Sequence, residues 1–133
     1  MIYLALLAAI FALGLLLLGE APSDRRKVVF LSAAWLLMTL VSGLRGFSVG
    51  SDTPAYIYRY AEAATLSLPE LMEATRHGIG YLLLEKFCLL FSPHPNVLFL
   101  LCAAATNGFV VFFIYKNSKD VFFSLFLYFV LDL

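Results

Sequence analysis

Residues 23–44, "SDRRKVVFLSAAWLLMTLVSGL", decide the fold. Arg25, Arg26 and Lys27 stand immediately before Val28–Leu44, a run of 17 residues without a charge. That length is close to the minimum of about 17 residues that crosses a bilayer as a helix. Three cations at one end of such a run belong on the cytoplasmic side by the positive-inside rule. The N-terminus is then expected outside, and the chain from residue 45 onward is expected on the extracytoplasmic face.

The rest of the 133-residue chain agrees with a membrane setting. It is 62% hydrophobic and 14% charged, with a mean hydropathy of +0.92, outside the usual range of a soluble domain. Thirteen phenylalanines and seven tyrosines suit lipid contact and interface anchoring. A net charge of zero removes the electrostatic case for nucleic acid as a partner. Cys88 and Cys102 lie inside apolar runs and read as small buried hydrophobes. His77 and His94 have no second ligand at metal-binding spacing, so neither a metal nor a cofactor is expected.

Four further apolar runs flank this stretch. Residues 2–18 carry no charge and lack both the basic start and the cleavage site of a signal peptide, so they read as a retained first span. Residues 79–92 contain Glu85 and Lys86, whose charges must face protein, water or the interface, and form a short, tilted or re-entrant element. Residues 97–115 form a clear span bearing a small polar notch at Thr106, Asn107 and Gly108, which reads as a site of close helix packing. Residues 121–133 are too few to cross and read as an unfinished span of a longer protein. The expected architecture is therefore all-α: one polytopic membrane domain of about four or five helices, the last incomplete. Counting four full spans puts Lys116 and Lys119 outside, against the positive-inside bias; a non-crossing 79–92 segment reverses that placement.

Between the second and third runs lies a polar insertion, residues 45–78, expected to be an extracytoplasmic loop with short amphipathic helices. "SDTP" offers Ser51, Asp52 or Thr53 as a cap, with Pro54 in the first turn. "SLPE" pairs Ser67 with Glu70 in a capping box, and Gly78 is placed to close that second helix.

The chemistry concentrates in residues 43–60, "GLRGFSVGSDTPAYIYRY". Gly46 and Gly50 permit a tight loop that brings Arg45 back toward Asp52. From Asp52, helical spacing places Tyr56, Arg59 and Tyr60 on one face. An arginine fork suits phosphate oxygens, and tyrosines supply stacking area and hydroxyls, so this face can hold a phosphorylated, hydroxyl-rich ligand. A purely structural account competes with it: Asp52 caps its helix, Arg45 snorkels at the end of the second span, and the tyrosines anchor at the interface.

These residues, with "GYLLLEKF" at 80–87 and "YKNSKDVFFSLFLY" at 115–128, resemble the EpsG family of Wzy-like exopolysaccharide polymerases. The likeness rests on an arginine that ends an early span, Arg45, and on a loop carrying Gly50, Asp52 and Tyr56. It extends to Gly80, Tyr81, Leu84 and Lys86, and to the basic loop with Lys116, Ser118 and Lys119. The chain departs from the family pattern at Gly78, where an acid is common, and Glu85 is the nearest acid that follows.

The resemblance implies a glycosyltransferase-type membrane enzyme of bacteria, the N-terminal portion of a polymerase in the cytoplasmic (inner) membrane. It would join lipid-pyrophosphate-linked oligosaccharide units in exopolysaccharide or capsule biosynthesis. Arg45 and Asp52 then carry catalysis, while Tyr56, Arg59 and Tyr60 bind substrate. The implied partners are the lipid-linked oligosaccharide, membrane lipids and other polysaccharide-export proteins. Two other readings stand beside it: a transporter or flippase of lipid-linked sugars, with Asn107 and Glu85 lining its path, and a small non-catalytic membrane partner protein.

Overall fold

In lipid, an apolar run without internal proline can satisfy its backbone only by bonding to itself, and a helix results. The computed structural model describes residues 2–19, 22–44, 46, 52–74 and 78–131, and among them the chain forms seven helices and no strand. In order they are α1 (Ile2–Leu18), α2 (Asp24–Gly43), α3 (Thr53–Thr65), α4 (Leu68–Ala74), α5 (Ile79–Leu89), α6 (Asn96–Asn117) and α7 (Val121–Leu131).

The all-α class agrees with the sequence, while the expected membrane bundle of about four or five helices, the last incomplete, is not established. Among the described helices only α2 and α6 are long and apolar enough to cross a membrane, and α1 and α7 are shorter apolar helices. Helix α5 has 11 residues. At 1.5 Å per residue it measures about 16 Å, roughly half the hydrocarbon core.

Local signals set the helix ends. Ser23 Oγ accepts the Arg26 N–H at 3.4 Å to start α2. Asp120 Oδ1 accepts the Phe123 N–H at 3.0 Å to start α7. Glu70 Oε2 accepts the Ser67 N–H at 2.7 Å and its hydroxyl at 2.6 Å, the capping box expected at α4; those bonds hold the Glu70 carboxyl below the ordinary carboxylate range. Gly78 departs from expectation. It stands at the N-cap of α5 with φ −64° and ψ 145°, an extended backbone and not the left-handed close of α4.

The described chain divides into two compact units, residues 1–42 with 103–133, and residues 43–102. The first contains α1, most of α2, the greater part of α6, and α7. Its core repeats at four-residue spacing: Leu6, Ile10, Gly14 and Leu18 on α1, and Val121, Leu125 and Phe129 on α7. Phe30, Leu31, Ala34 and Met38 of α2 and Ile114 of α6 complete it. The Phe122 ring lies directly against Gly14, where an added Cβ would come within 2.2 Å of a ring carbon. Phe109 and Phe113 of α6 are 77% and 67% exposed, an outward face that suits lipid and not water.

The polar notch on α6 serves packing at one of its three positions. Trp35 Nε1 donates to the Ala104 carbonyl at 3.0 Å, and the indole lies over Gly108, 3.4 Å from where a Cβ would be. Asn107 is buried beside a cavity of about 60 Å³, lined among others by Tyr3, Ser42 and Tyr128. That space holds a few waters and no sugar ring, which weighs against a transport path there. Thr106 is exposed, and so is Cys102, which the sequence reads as buried.

Within this unit α2 and α6 run antiparallel. Trp35 packs on Gly108, while Lys27 near the start of α2 shares a cavity with Lys119, just past the end of α6. The turn after α1 and the turn after α6 therefore lie at the same end.

One close approach carries a prediction. A Cβ added to Gly43 would lie 2.8 Å from Leu100 Cα and 2.6 Å from its Cδ2. Backbone cannot yield as a flexible side chain does, so Gly43→Val is expected to destabilise the protein by about 1–3 kcal/mol. Thermal unfolding in detergent checks it, with Gly46→Val as the control because no atom of the described residues lies within 4 Å of the added Cβ there.

Candidate functional site

The second unit is built around α3. That helix buries Thr53, Tyr60 and Ala63, seven and three residues apart, and so presents one stripe inward. Ala63 meets Leu71 of α4 and Leu82 of α5, while Tyr60 meets Cys88 and Leu98. Pro54 occupies the first turn of α3, where its missing N–H leaves no bond unmade.

The two charges inside the third apolar run pin α5 to α3. Lys86 Nζ donates to the Ala63 carbonyl at 2.6 Å and to the Leu66 carbonyl, taking carbonyls left open at the end of α3. An ammonium there also meets the negative end of the helix dipole. The Glu85 carboxylate is fully buried and lies 3.9 Å from the Arg59 guanidinium. Burial pushes the Glu85 carboxyl above the ordinary carboxylate range, and Arg59 pulls it part of the way back.

Arg59 is held on a second side by an aromatic ring. Its guanidinium carbon is 5.7 Å from the centre of the Tyr81 ring, a cation–π distance. The Tyr56 ring is centred 6.4 Å from that of Tyr81 at an interplanar angle of 55°. Burial raises the Tyr81 hydroxyl above the ordinary phenol range, with Glu85 adding to the shift. Arg59 Nε is buried without an acceptor among the described residues, so the fork is not saturated by protein groups. The result is an arginine held by Glu85 and the Tyr81 ring, with Tyr56, 38% exposed, packed against that same ring.

The structure treats the five expected site residues unequally. It brings Tyr56 and Arg59 together. Asp52 is the exposed N-cap residue of α3, and its carbonyl accepts the Tyr56 N–H at 3.2 Å, but its side chain makes no capping bond to the helix. Tyr60 corrects the expectation of a substrate-binding side chain: it is 1% exposed and its hydroxyl donates to the Ser92 carbonyl at 2.8 Å. The inward stripe of α3 takes it into the core, four residues beyond the exposed Tyr56. Arg45 and Gly50 lie outside the described residues.

Two members of the cluster, Tyr81 and Glu85, come from α5. Sequence alone offers Glu85 as a charge that must be shielded, as the nearest acid after Gly78, and as a lining residue of the transport alternative, but not as a partner of Arg59. Its spacing of four from Tyr81 is the signal that places both on one helical face, and nothing in the sequence matches that face to Arg59.

The sequence model of the EpsG family matches residues 28–132, which takes in all of the second unit and the first unit without α1 and the start of α2. No curated protein and no solved structure matches the chain.

Proposed function

The chain belongs to the EpsG family, and from that premise we propose that it is a Wzy-like membrane glycan polymerase acting in exopolysaccharide or capsule biosynthesis. It works in the bacterial cytoplasmic membrane as a multi-pass protein. Its substrates are oligosaccharide repeat units linked to lipid pyrophosphate, met on the extracytoplasmic side.

In the reaction, a hydroxyl oxygen of one sugar bonds to the anomeric carbon of another, and the bond from that carbon to the pyrophosphate oxygen breaks. The leaving pyrophosphate takes the electron pair, so cations held beside it lower the barrier. Arg45 and Arg59 fill that role, and Asp52 accepts the proton of the attacking hydroxyl. Tyr56 lies against the sugar. The observation that carries this reading is the clamp on Arg59: a guanidinium oriented by Glu85 and Tyr81, with an exposed tyrosine beside it, suits a phosphate joined to a carbohydrate.

Asp52→Asn and Arg45→Ala are each expected to lower polymer formation by at least about a hundred-fold, the lower range for removing a general base or an electrostatic donor. Membrane protein level should be unchanged. The readout is chain length of the surface polysaccharide on gels, with immunoblots of the membrane fraction. Polymer of normal length from either variant would sink that residue's role.

A further inference from the structure

The turns that join α1 to α2 and α6 to α7 converge on a cavity of about 390 Å³ in the first unit. Its lining joins charge to an apolar wall. Lys27, Lys119 and Asp120 enter from the two turns, while Leu15, Leu18, Val121 and Phe122 form the apolar wall. The Arg26 guanidinium reaches the rim, with Nη1 4.0 Å from where a Cβ on Gly19 would stand.

The carboxylates nearby in sequence are already engaged. Asp24 Oδ1 lies 3.4 Å from Lys27 Nζ, and Asp120 Oδ1 accepts the N–H of Phe123. Among the described residues no carboxylate lies within ion-pairing distance of Lys119. Among the described residues Arg26, Lys27 and Lys119 outnumber Asp24 and Asp120 at this end of the unit, which keeps a positive excess above an apolar wall.

This combination distinguishes an amphiphile from a free anion. Inorganic phosphate would satisfy the lysines and leave Leu15, Leu18, Val121 and Phe122 facing water, whereas a phospholipid covers both. The volume lies within the range of about 300–1,000 Å³ in which small-molecule sites fall. The cations are also those that the positive-inside rule assigns to the cytoplasmic leaflet, where anionic lipids give the surface its negative potential.

We propose that this cavity binds the head group of an anionic phospholipid, with Lys27 and Lys119 on the phosphate and the adjoining lipid carbons against the leucine and phenylalanine wall. The site is independent of the polymerase reading, since it uses no residue of the α3–α5 cluster.

The test titrates the detergent-solubilised full chain with phosphatidylglycerol, phosphatidylcholine and inorganic phosphate, reading retained ligand by native mass spectrometry. Phosphatidylglycerol is expected to bind in preference to phosphatidylcholine, and more weakly as salt rises. Lys119→Ala should weaken binding about five-fold and Lys27→Ala/Lys119→Ala about twenty-five-fold, the effect expected of one and two cations near an anionic lipid surface. Lys116→Ala should leave it unchanged, because that ammonium lies over the Phe112 ring, 6.0 Å from its centre, and is not part of the lining.

Lys119 lies in an exposed turn, so its single variant keeps the fold, as circular dichroism would verify. If the double variant unfolds, the single variant and the salt dependence of the unaltered chain decide the matter. Equal retention of the two lipids, unchanged affinity in Lys119→Ala, or inorganic phosphate saturating at the same concentration as the lipid would each overturn the proposal.

Discussion

Glu85→Ala is expected to destabilise the α3–α5 unit by about 3 kcal/mol, the lower end of the range for breaking a buried ion pair from one side. The carboxylate is fully buried, so its removal leaves a cavity together with a guanidinium that has lost its counter-charge. The lower end applies because the Arg59 side chain is 16% exposed and water screens part of the loss. Replacing both partners, as Arg59→Met/Glu85→Leu, should restore most of the stability, since the pair gives up hydration for a contact of only 3.9 Å.

The pH dependence follows from the same balance. Burial raises the folded Glu85 carboxyl above its ordinary value of 4.5, with Arg59 opposing. A raised folded value means that the folded protein holds this proton more tightly than the unfolded chain does. The associated stability is present in full below 4.5 and is lost as pH climbs through the raised folded value. Glu85→Gln should abolish that loss. Denaturant melts in detergent across this pH window measure both effects; a Glu85→Ala variant as stable as the parent chain, or a double variant worse than the single, would refute the pairing.

Arg59→Ala is expected to reduce polymer formation by about 10²–10³-fold, the loss typical of removing one oriented group that stabilises developing negative charge. Arg59→Lys should recover only part. A lysine keeps the charge but loses the planar fork and its stacking over Tyr81. Because Arg59→Ala also strands Glu85, fold and function must be separated. The Arg59→Met/Glu85→Leu variant does this: it keeps the helix contact and lacks the cation, so it should remain folded in the membrane and yield no polymer. Polymer of normal length from that folded variant would remove Arg59 from the reaction.

The legible and illegible parts of this molecule differ in range. The Ser67–Glu70 box and the placement of Pro54 in the first turn of α3 depend on residues within one turn, and both stand as read. That Tyr56 and Arg59 share a face of α3 was within reach because residues three apart on a helix are neighbours. Tyr60 was not, since the choice of which side of an amphipathic helix turns inward is made by Cys88 and Leu98, 28 and 38 residues away. Lys86 reads as a charge to be shielded, but its role as the cap of α3 needs the fold, because the carbonyls it takes are 20 and 23 residues distant.

By itself, the sequence determined the all-helical class and the membrane setting, because hydropathy and cations add up along the chain without regard to partners. Helix direction was a different matter. Whether the lysine loop at 116–119 shares an end with Arg25, Arg26 and Lys27 depends on the parity of crossings, and one ambiguous segment of apolar residues with two charges inverts it. Only the tertiary structure decided that, by laying α2 antiparallel to α6 with Trp35 on Gly108 and by drawing Lys27 and Lys119 to one cavity. The same holds for Glu85. A buried acid gains its meaning from the cation that meets it, and that meeting is a property of packing between helices which no periodicity within one helix contains.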